Sequence, residues 1–211
     1  MTNLATSRAE QRMPIADSLA EANDEQLMDL LREGEDEALA ELVRRYQNDI
    51  FRFCLHYVKH VEVAKEMAQE TFLRVYAARE RFDTDRVFKP WLLCIARNLC
   101  LNELKRKKTV LMETLEEYAS EAREESGEIL QWHVSDASEA LMADERREAL
   151  LDALNGLPQE AREMVMMRYF EQLSAREIAE VMDSTEGAVR TRLHRTLRQL
   201  RKQCAYLWES L

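Results

Sequence analysis

Six cations crowd one short C-terminal stretch, "TEGAVRTRLHRTLRQLRK": Arg190, Arg192, Arg195, Arg198, Arg201 and Lys202. No acidic residue follows Glu186 until Glu209. Guanidinium groups so placed suit bidentate hydrogen bonds to guanine edges and charge pairing with phosphates. At helical spacing Val189, Leu193, Leu197 and Leu200 form one apolar stripe. The remaining circumference carries Arg190, Thr191, His194, Arg195, Arg198, Arg201 and Lys202. One side therefore packs, and the other offers cations and a hydroxyl. Just upstream, Ser174 and Glu177 have the spacing of a capping box. The helix they begin turns Ile178, Ala179 and Met182 inward, and small Ala179 permits a close crossing. "DST" makes the turn; Asp183 stands where glycine is usual and tolerates a left-handed backbone better than most residues. Thr185 caps the cationic helix. A capped helix, a short turn and a cationic helix suit a major groove better than a merely solvated amphipathic helix.

A second set of groups lies in "RVFKPWLLCIARNLCLNELKRKK". From Arg86 to Lys108 there are seven cations against Glu103 alone. Pro90 suits a first helical turn, and the predicted helix runs from Pro90 to Lys108. Trp91, Asn98, Asn102 and Lys105 share one stripe. Indole stacks on bases, carboxamides read base edges, and ammonium holds phosphate. A buried helix with a dipole-favoured basic end explains the same residues equally well.

Histidines and cysteines point to no further chemistry. His56 and His60 stand four apart, with Cys54 nearby, but no third ligand has suitable spacing. His133 and His194 are isolated. No metal site, cofactor or catalytic set is expected, since neither a phosphate-cradling glycine loop nor a Ser/His/Asp pattern occurs. Cys54, Cys94, Cys100 and Cys204 lack CxxC spacing and read as reduced, mostly buried thiols.

The elements that must position these groups are helices. The 211 residues contain only 4 Gly and 3 Pro with 33% charged residues, which favours an all-α fold. Residues 1–23 read as a flexible tail. A first unit spans 24–108, with Gly34 ending its first helix. Two long helices follow, on Leu39, Leu42, Val43, Tyr46, Ile50, Phe53 and Tyr57, then on Val61, Ala64, Ala68, Phe72 and Val75. Residues 109–140 are an acidic linker, where Glu113, Glu116, Glu117, Glu121, Glu124, Glu125, Glu128, Asp136 and Glu139 face only Arg123. A second small helical domain spans 141–204, with breaks at Gly156–Pro158 and Gln172–Ser174, and 205–211 is a short tail. No leader or membrane insertion is expected, and the location is cytoplasmic.

Taken in order, these blocks resemble the sigma-70 family of bacterial RNA polymerase sigma factors, in its extracytoplasmic-function (ECF, group 4) type. "EALAELVRRYQNDIFRFC" resembles region 2.1 and "EMAQETFLRVYAARERFD" region 2.2. "FKPWLLCIARNLCLNELKRKK" is similar to regions 2.3 and 2.4, and "LPQEAREMVMMRYFEQLSAREIAEVMDSTEGAVRTRLHRTLRQLR" to region 4. The resemblance implies two helical domains, sigma region 2 and sigma region 4, with no region 3 between them. It implies binding to core RNA polymerase, at the largest-subunit clamp coiled coil through Gln69, Glu70, Leu73 and Arg74, and also at the flap. It implies -10 contacts by Trp91, Asn98 and Asn102, with Lys105 and Arg106 on phosphates. It implies -35 reading by Thr185, Glu186, Arg190, Thr191, His194 and Arg195, with Arg192 and Arg198 toward the backbone. Promoter DNA and an anti-sigma factor are the further implied partners. The alternative is a stand-alone helix-turn-helix regulator.

Net charge is -10, so cations confined to two patches must act against overall repulsion from DNA. The isolated protein is expected to bind a -35 duplex weakly, and core polymerase to tighten that binding greatly. A salt titration of binding with and without core measures this; tight, salt-resistant binding by the free protein is the opposing outcome.

Overall fold

The computed structural model describes residues 19–115 and 150–205, Leu151 excepted, and the backbone alone for 108–115. Among them the elements are α1 (Asp24–Arg32), α2 (Asp36–Val58), α3 (Val61–Ala78), a 3-10 turn (Arg79–Arg81), α4 (Phe88–Leu115), α5 (Gln159–Tyr169), α6 (Ala175–Val181) and α7 (Glu186–Gln203). The described residues contain no strand, as the composition predicts. Most of the predicted N-terminal tail, the linker beyond residue 115 and the last six residues lie outside the described residues. The helix predicted to stop near Lys108 runs on to Leu115, into the segment read as linker.

Local chemistry sets the breaks. Asn23 and Gln26 form a reciprocal capping box that starts α1. Gly34, at φ +96°, takes a backbone conformation that side chains disfavour and turns the chain into α2. Lys59 ends α2 in a left-handed conformation, and the His60 ring then caps α3 by accepting from the Val63 N–H. The two histidines therefore sit on different elements, so the i, i+4 metal pair is not formed. Among the described residues no group of three or more His, Cys, Asp or Glu side chains is arranged to hold a metal.

In the first unit α2, α3 and α4 pack on one another, with α1 against α2. Leu27, Met28 and Leu31 of α1 are fully buried with Leu42 and Ile50 of α2 and Val75 of α3. Arg45 braces this corner, bonding Asp24, Glu41 and the Leu19 and Ala20 carbonyls. Cys54 and Cys100 meet between α2 and α4; their mutual hydrogen bond and burial push the Cys54 thiol far up, which keeps it protonated and inert.

The second unit is a smaller layer of α5, α6 and α7, with Met164, Met167, Ile178 and Val189 at its centre. It packs on the first chiefly through α6 against α4. The two halves, read from sequence as separate modules, are here in direct contact. His56 of α2 lines clefts at this junction, with Asp49, Arg52, Lys59, Arg162, Glu163 and Glu171 as the charged neighbours. Burial, then the Arg162 and Lys59 charges, lower its imidazole to about 4.

The folded chain thus holds His56 neutral, whereas the unfolded chain protonates it near the ordinary value. Stability from this site is intact above about pH 6.5 and falls with acidification toward pH 4, by about 3 kcal/mol in all. Urea unfolding of the native chain and of His56→Leu across this range should show the native protein losing more. Parallel curves would contradict the assignment.

Candidate nucleic-acid interface

The helix-turn-helix forms as its spacing predicts. The Ser174 hydroxyl accepts from the Glu177 N–H, while the Glu177 carboxylate accepts from the Ser174 N–H. Ala179 is buried beneath the crossing, and Asp183 takes φ +50° in the turn. Ser184 N–H closes the turn on the Ala179 carbonyl at 2.9 Å. The Thr185 hydroxyl accepts from Ala188 N–H and starts α7.

Helix α7 buries Val189, Leu193 and Leu200, and half-buries Leu197. Thr196 is also buried, its hydroxyl satisfied by the Arg192 carbonyl at 2.9 Å. Arg190, Thr191, His194, Arg195, Arg198, Arg201 and Lys202 are all exposed. Glu186, in the first turn, pairs with Arg190 and holds its guanidinium over the helix start. The Thr191 hydroxyl donates back to the Gly187 carbonyl. Arg192 reaches sideways to Glu160 of α5 at 3.2 Å. Spacing did not reveal that ion pair, because its partner lies 32 residues away.

In the first unit α4 is buried on several sides. Phe88, Leu92, Leu93, Ala96 and Cys100 are fully enclosed. The Phe88 N–H donates to Glu25 of α1 at 2.9 Å, which pins the helix start. Asn98, Asn102, Lys105 and Arg106 are exposed. The Glu103 carboxylate grips Arg106 with two bonds of 2.8 Å. Trp91 is half-buried in an aromatic cluster: its ring centroid lies 4.8 Å from that of Phe82 and 6.0 Å from that of Phe88. One edge of the stripe is therefore a packed ring and the other a polar face. The Asn98 amide donates to the Cys94 sulfur at 3.6 Å.

Helix α3 presents a different surface. Its inner face buries Ala64, Ala68, Thr71, Phe72 and Val75. Outside, Gln69 and Arg74 are exposed, Leu73 is 65% exposed, and Arg74 bonds Glu70 at 2.9 Å. Tyr76 continues this apolar strip and carries the Arg79 guanidinium over its ring at 4.3 Å. Reading by motif passed over Tyr76; its position seven residues after Gln69 was the available signal.

Two family models match this architecture: "Sigma-70 region 2" over residues 42–110 and "Sigma-70, region 4" over residues 147–200. The ECF RNA polymerase sigma factor SigW of Bacillus subtilis is 30% identical over 158 residues, covering 75% of this chain and 84% of its own length. The chain belongs to the sigma-70 family. Its relatives place it in the ECF type: SigM of Bacillus subtilis, also an ECF sigma factor, is 29% identical over 74% of this chain and 88% of its own length. The sigma-factor fold also recurs in solved structures. RpoE of Bartonella quintana, crystallised with the anti-sigma factor NepR, aligns with TM-score 0.60 at 16% identity, over 78% of this chain and 94% of that one. CnrH, in complex with the cytosolic domain of CnrY, aligns with TM-score 0.58 at 19% identity, over 89% and 97%. No helix among the described residues is long and apolar enough to cross a membrane.

Phe82 joins Trp91 and Phe88 and is 3% exposed, so Phe82→Ala should cost about 3–5 kcal/mol in urea unfolding of this sigma factor. Val87→Ala, in the adjoining loop at 55% exposure, should cost less than about 0.5 kcal/mol. Equal losses would show that the aromatic cluster does not organise this end of α4.

Proposed function

We propose that this sigma factor docks on core RNA polymerase and reads promoters with two separate surfaces, and that the exposed cationic face of α7 is the observation that carries the reading. That face stands on a capped helix-turn-helix whose opposite side is buried. Arg190, His194 and Arg195 read -35 base edges with Thr185, Glu186 and Thr191 around them, and Arg198 and Arg192 hold the backbone. Arg192 must first exchange its Glu160 partner for phosphate.

The α4 surface takes the -10 strand. Asn98 and Asn102 read bases, Trp91 offers the uncovered part of its ring for stacking, and Lys105 and Arg106 hold phosphates. Removing a base from the duplex costs a few kcal/mol. Stacking returns roughly 1–3 kcal/mol per base. The near balance suits a protein that melts only matching promoters while held on polymerase. Gln69, Glu70, Leu73 and Arg74 form the docking strip for the clamp coiled coil, with a further contact to the flap. The protein works in the cytoplasm, without catalytic residues of its own. An anti-sigma factor is the further proposed partner, supported by the solved relative caught with NepR.

Run-off transcription with core polymerase on a genomic library should yield a defined set of promoters. The absence of any factor-dependent transcript would sink the reading, and operator binding unaffected by core would favour a stand-alone regulator. Leu73→Glu, on an exposed position, should keep the fold and reduce core binding by about tenfold or more, roughly 1.4 kcal/mol. Arg195→Ala should cost about 1–3 kcal/mol of -35 discrimination.

A further inference from the structure

A cleft of about 280 Å³ lies where the C-terminal end of α2 meets the start of α5, lined by His56, Tyr57, Lys59, Gln159, Arg162 and Glu163. Its charges do not balance. The Glu163 carboxylate is buried and already satisfied, accepting from Arg97 at 3.0 Å and from Gln159 at 2.9 Å. Among the described residues Lys59 forms no ion pair, and the Arg162 guanidinium donates only to the neutral Asn155 carboxamide, at 3.4 Å. Two cations therefore border one cleft whose lining holds no free carboxylate. The Tyr57 hydroxyl is a third unused group. Tyr57 is 7% exposed and feels the Glu163 and Arg97 charges, yet its hydroxyl makes no hydrogen bond, and an enclosed donor is costly to leave unpaired.

His56 completes the wall, its ring edge-on to that of Tyr57 with centroids 6.0 Å apart. Burial, then the Arg162 and Lys59 charges, disfavour its protonated form. A tetrahedral oxyanion answers each of these features. Guanidinium and ammonium groups hold it by charge-assisted bonds, the tyrosine hydroxyl gains an acceptor, and the added negative charge favours a protonated imidazole. The cleft is smaller than the roughly 300–1,000 Å³ of most small-molecule sites, so it suits an anion of a few heavy atoms rather than a whole nucleotide. We propose that this cleft binds a small free oxyanion, inorganic phosphate or pyrophosphate, clamped between Lys59 of region 2 and Arg162 of region 4. The site uses neither the exposed cations of α7 nor the Asn98–Asn102 face.

His56 is a native reporter of occupancy. The charged groups around it are Asp49, Arg52, Lys59, Arg162, Glu163 and Glu171. Asp49 pairs with Arg52, Glu163 with Arg97 and Glu171 with Lys89, so a bound anion is the charge that changes. Calorimetry of the full-length native protein with pyrophosphate, at fixed ionic strength, should show saturable binding of one equivalent. Arg162→Gln should weaken it about tenfold or more, and so should Lys59→Asn, since each removes one charge-assisted contact. Asparagine suits the left-handed backbone at position 59. Arg176→Gln, at an exposed position of α6, should leave the affinity unchanged. ADP should bind no tighter than pyrophosphate; tighter binding of ADP overturns the free-anion assignment. Sulfate, doubly charged across the whole imidazole range, should move the NMR titration of His56 to higher pH relative to chloride. Equal affinity in the native chain and both cleft variants means an adventitious ion only and overturns the proposal, as does a His56 titration that sulfate leaves in place. The His56 measurement is made on the native chain, so it decides the question even where a variant does not fold. No readout uses polymerase or promoter, so failure here leaves the transcription reading standing.

Discussion

Burial of α4 is the constraint on which the other elements depend. Its first turns carry Phe88, Trp91, Leu92, Leu93, Ala96 and Cys100, too much apolar surface for one packing face. Helices α2 and α3 take one side, while Phe82 folds back beneath Trp91 to close the open end. The remaining side carries Lys89, Arg97 and Leu104, and region 4 covers it. A helix surrounded in this way is held in a fixed orientation. Its exposed strip, Asn98 and Asn102, is therefore presented on a rigid base rather than on a loop.

Charge distribution follows from the same arrangement. A net -10 chain concentrates cations on α4 and α7. Several of those cations are neutralised inside the molecule: Arg106 by Glu103, Arg190 by Glu186, Arg192 by Glu160, and Arg97 by Glu163. On the proposed reading, DNA phosphates compete with these carboxylates. The exposed local pairs contribute little to stability and yield easily. The Arg97–Glu163 pair is enclosed at the junction of the two units. The low imidazole of His56 belongs to the same junction, where Arg162 and Lys59 oppose a further positive charge.

Much of this protein was legible in its sequence because the relevant signals are local. Helix caps act within three residues, so Ser174 with Glu177 and Thr185 at α7 could be read directly. The left-handed turn at Asp183 and the glycine stop at Gly34 are equally local. The apolar stripe of α7 sorted most buried from exposed positions, Thr196 excepted, because one helix packing on one layer leaves a simple periodicity. On α4 the same method was weaker, since burial on several sides erases the period; it could not show that Trp91 packs on Phe82 and Phe88. The i, i+4 spacing of His56 and His60 carries meaning only within one helix, and Lys59 ends α2 between them.

By itself, then, the sequence determined the all-α class, the caps and turns, the outward face of α7 and the order of blocks that marks a sigma-70 chain. The tertiary structure alone decided which cations meet carboxylates of distant elements. That question turns on partners such as Glu163 and Glu171, which lie 66 and 82 residues from theirs. Helical periodicity relates residues within a few turns, whereas an ion pair across a junction depends on how whole helices stack. The burial that makes the Arg97–Glu163 pair costly to break is likewise a property of the packed helices.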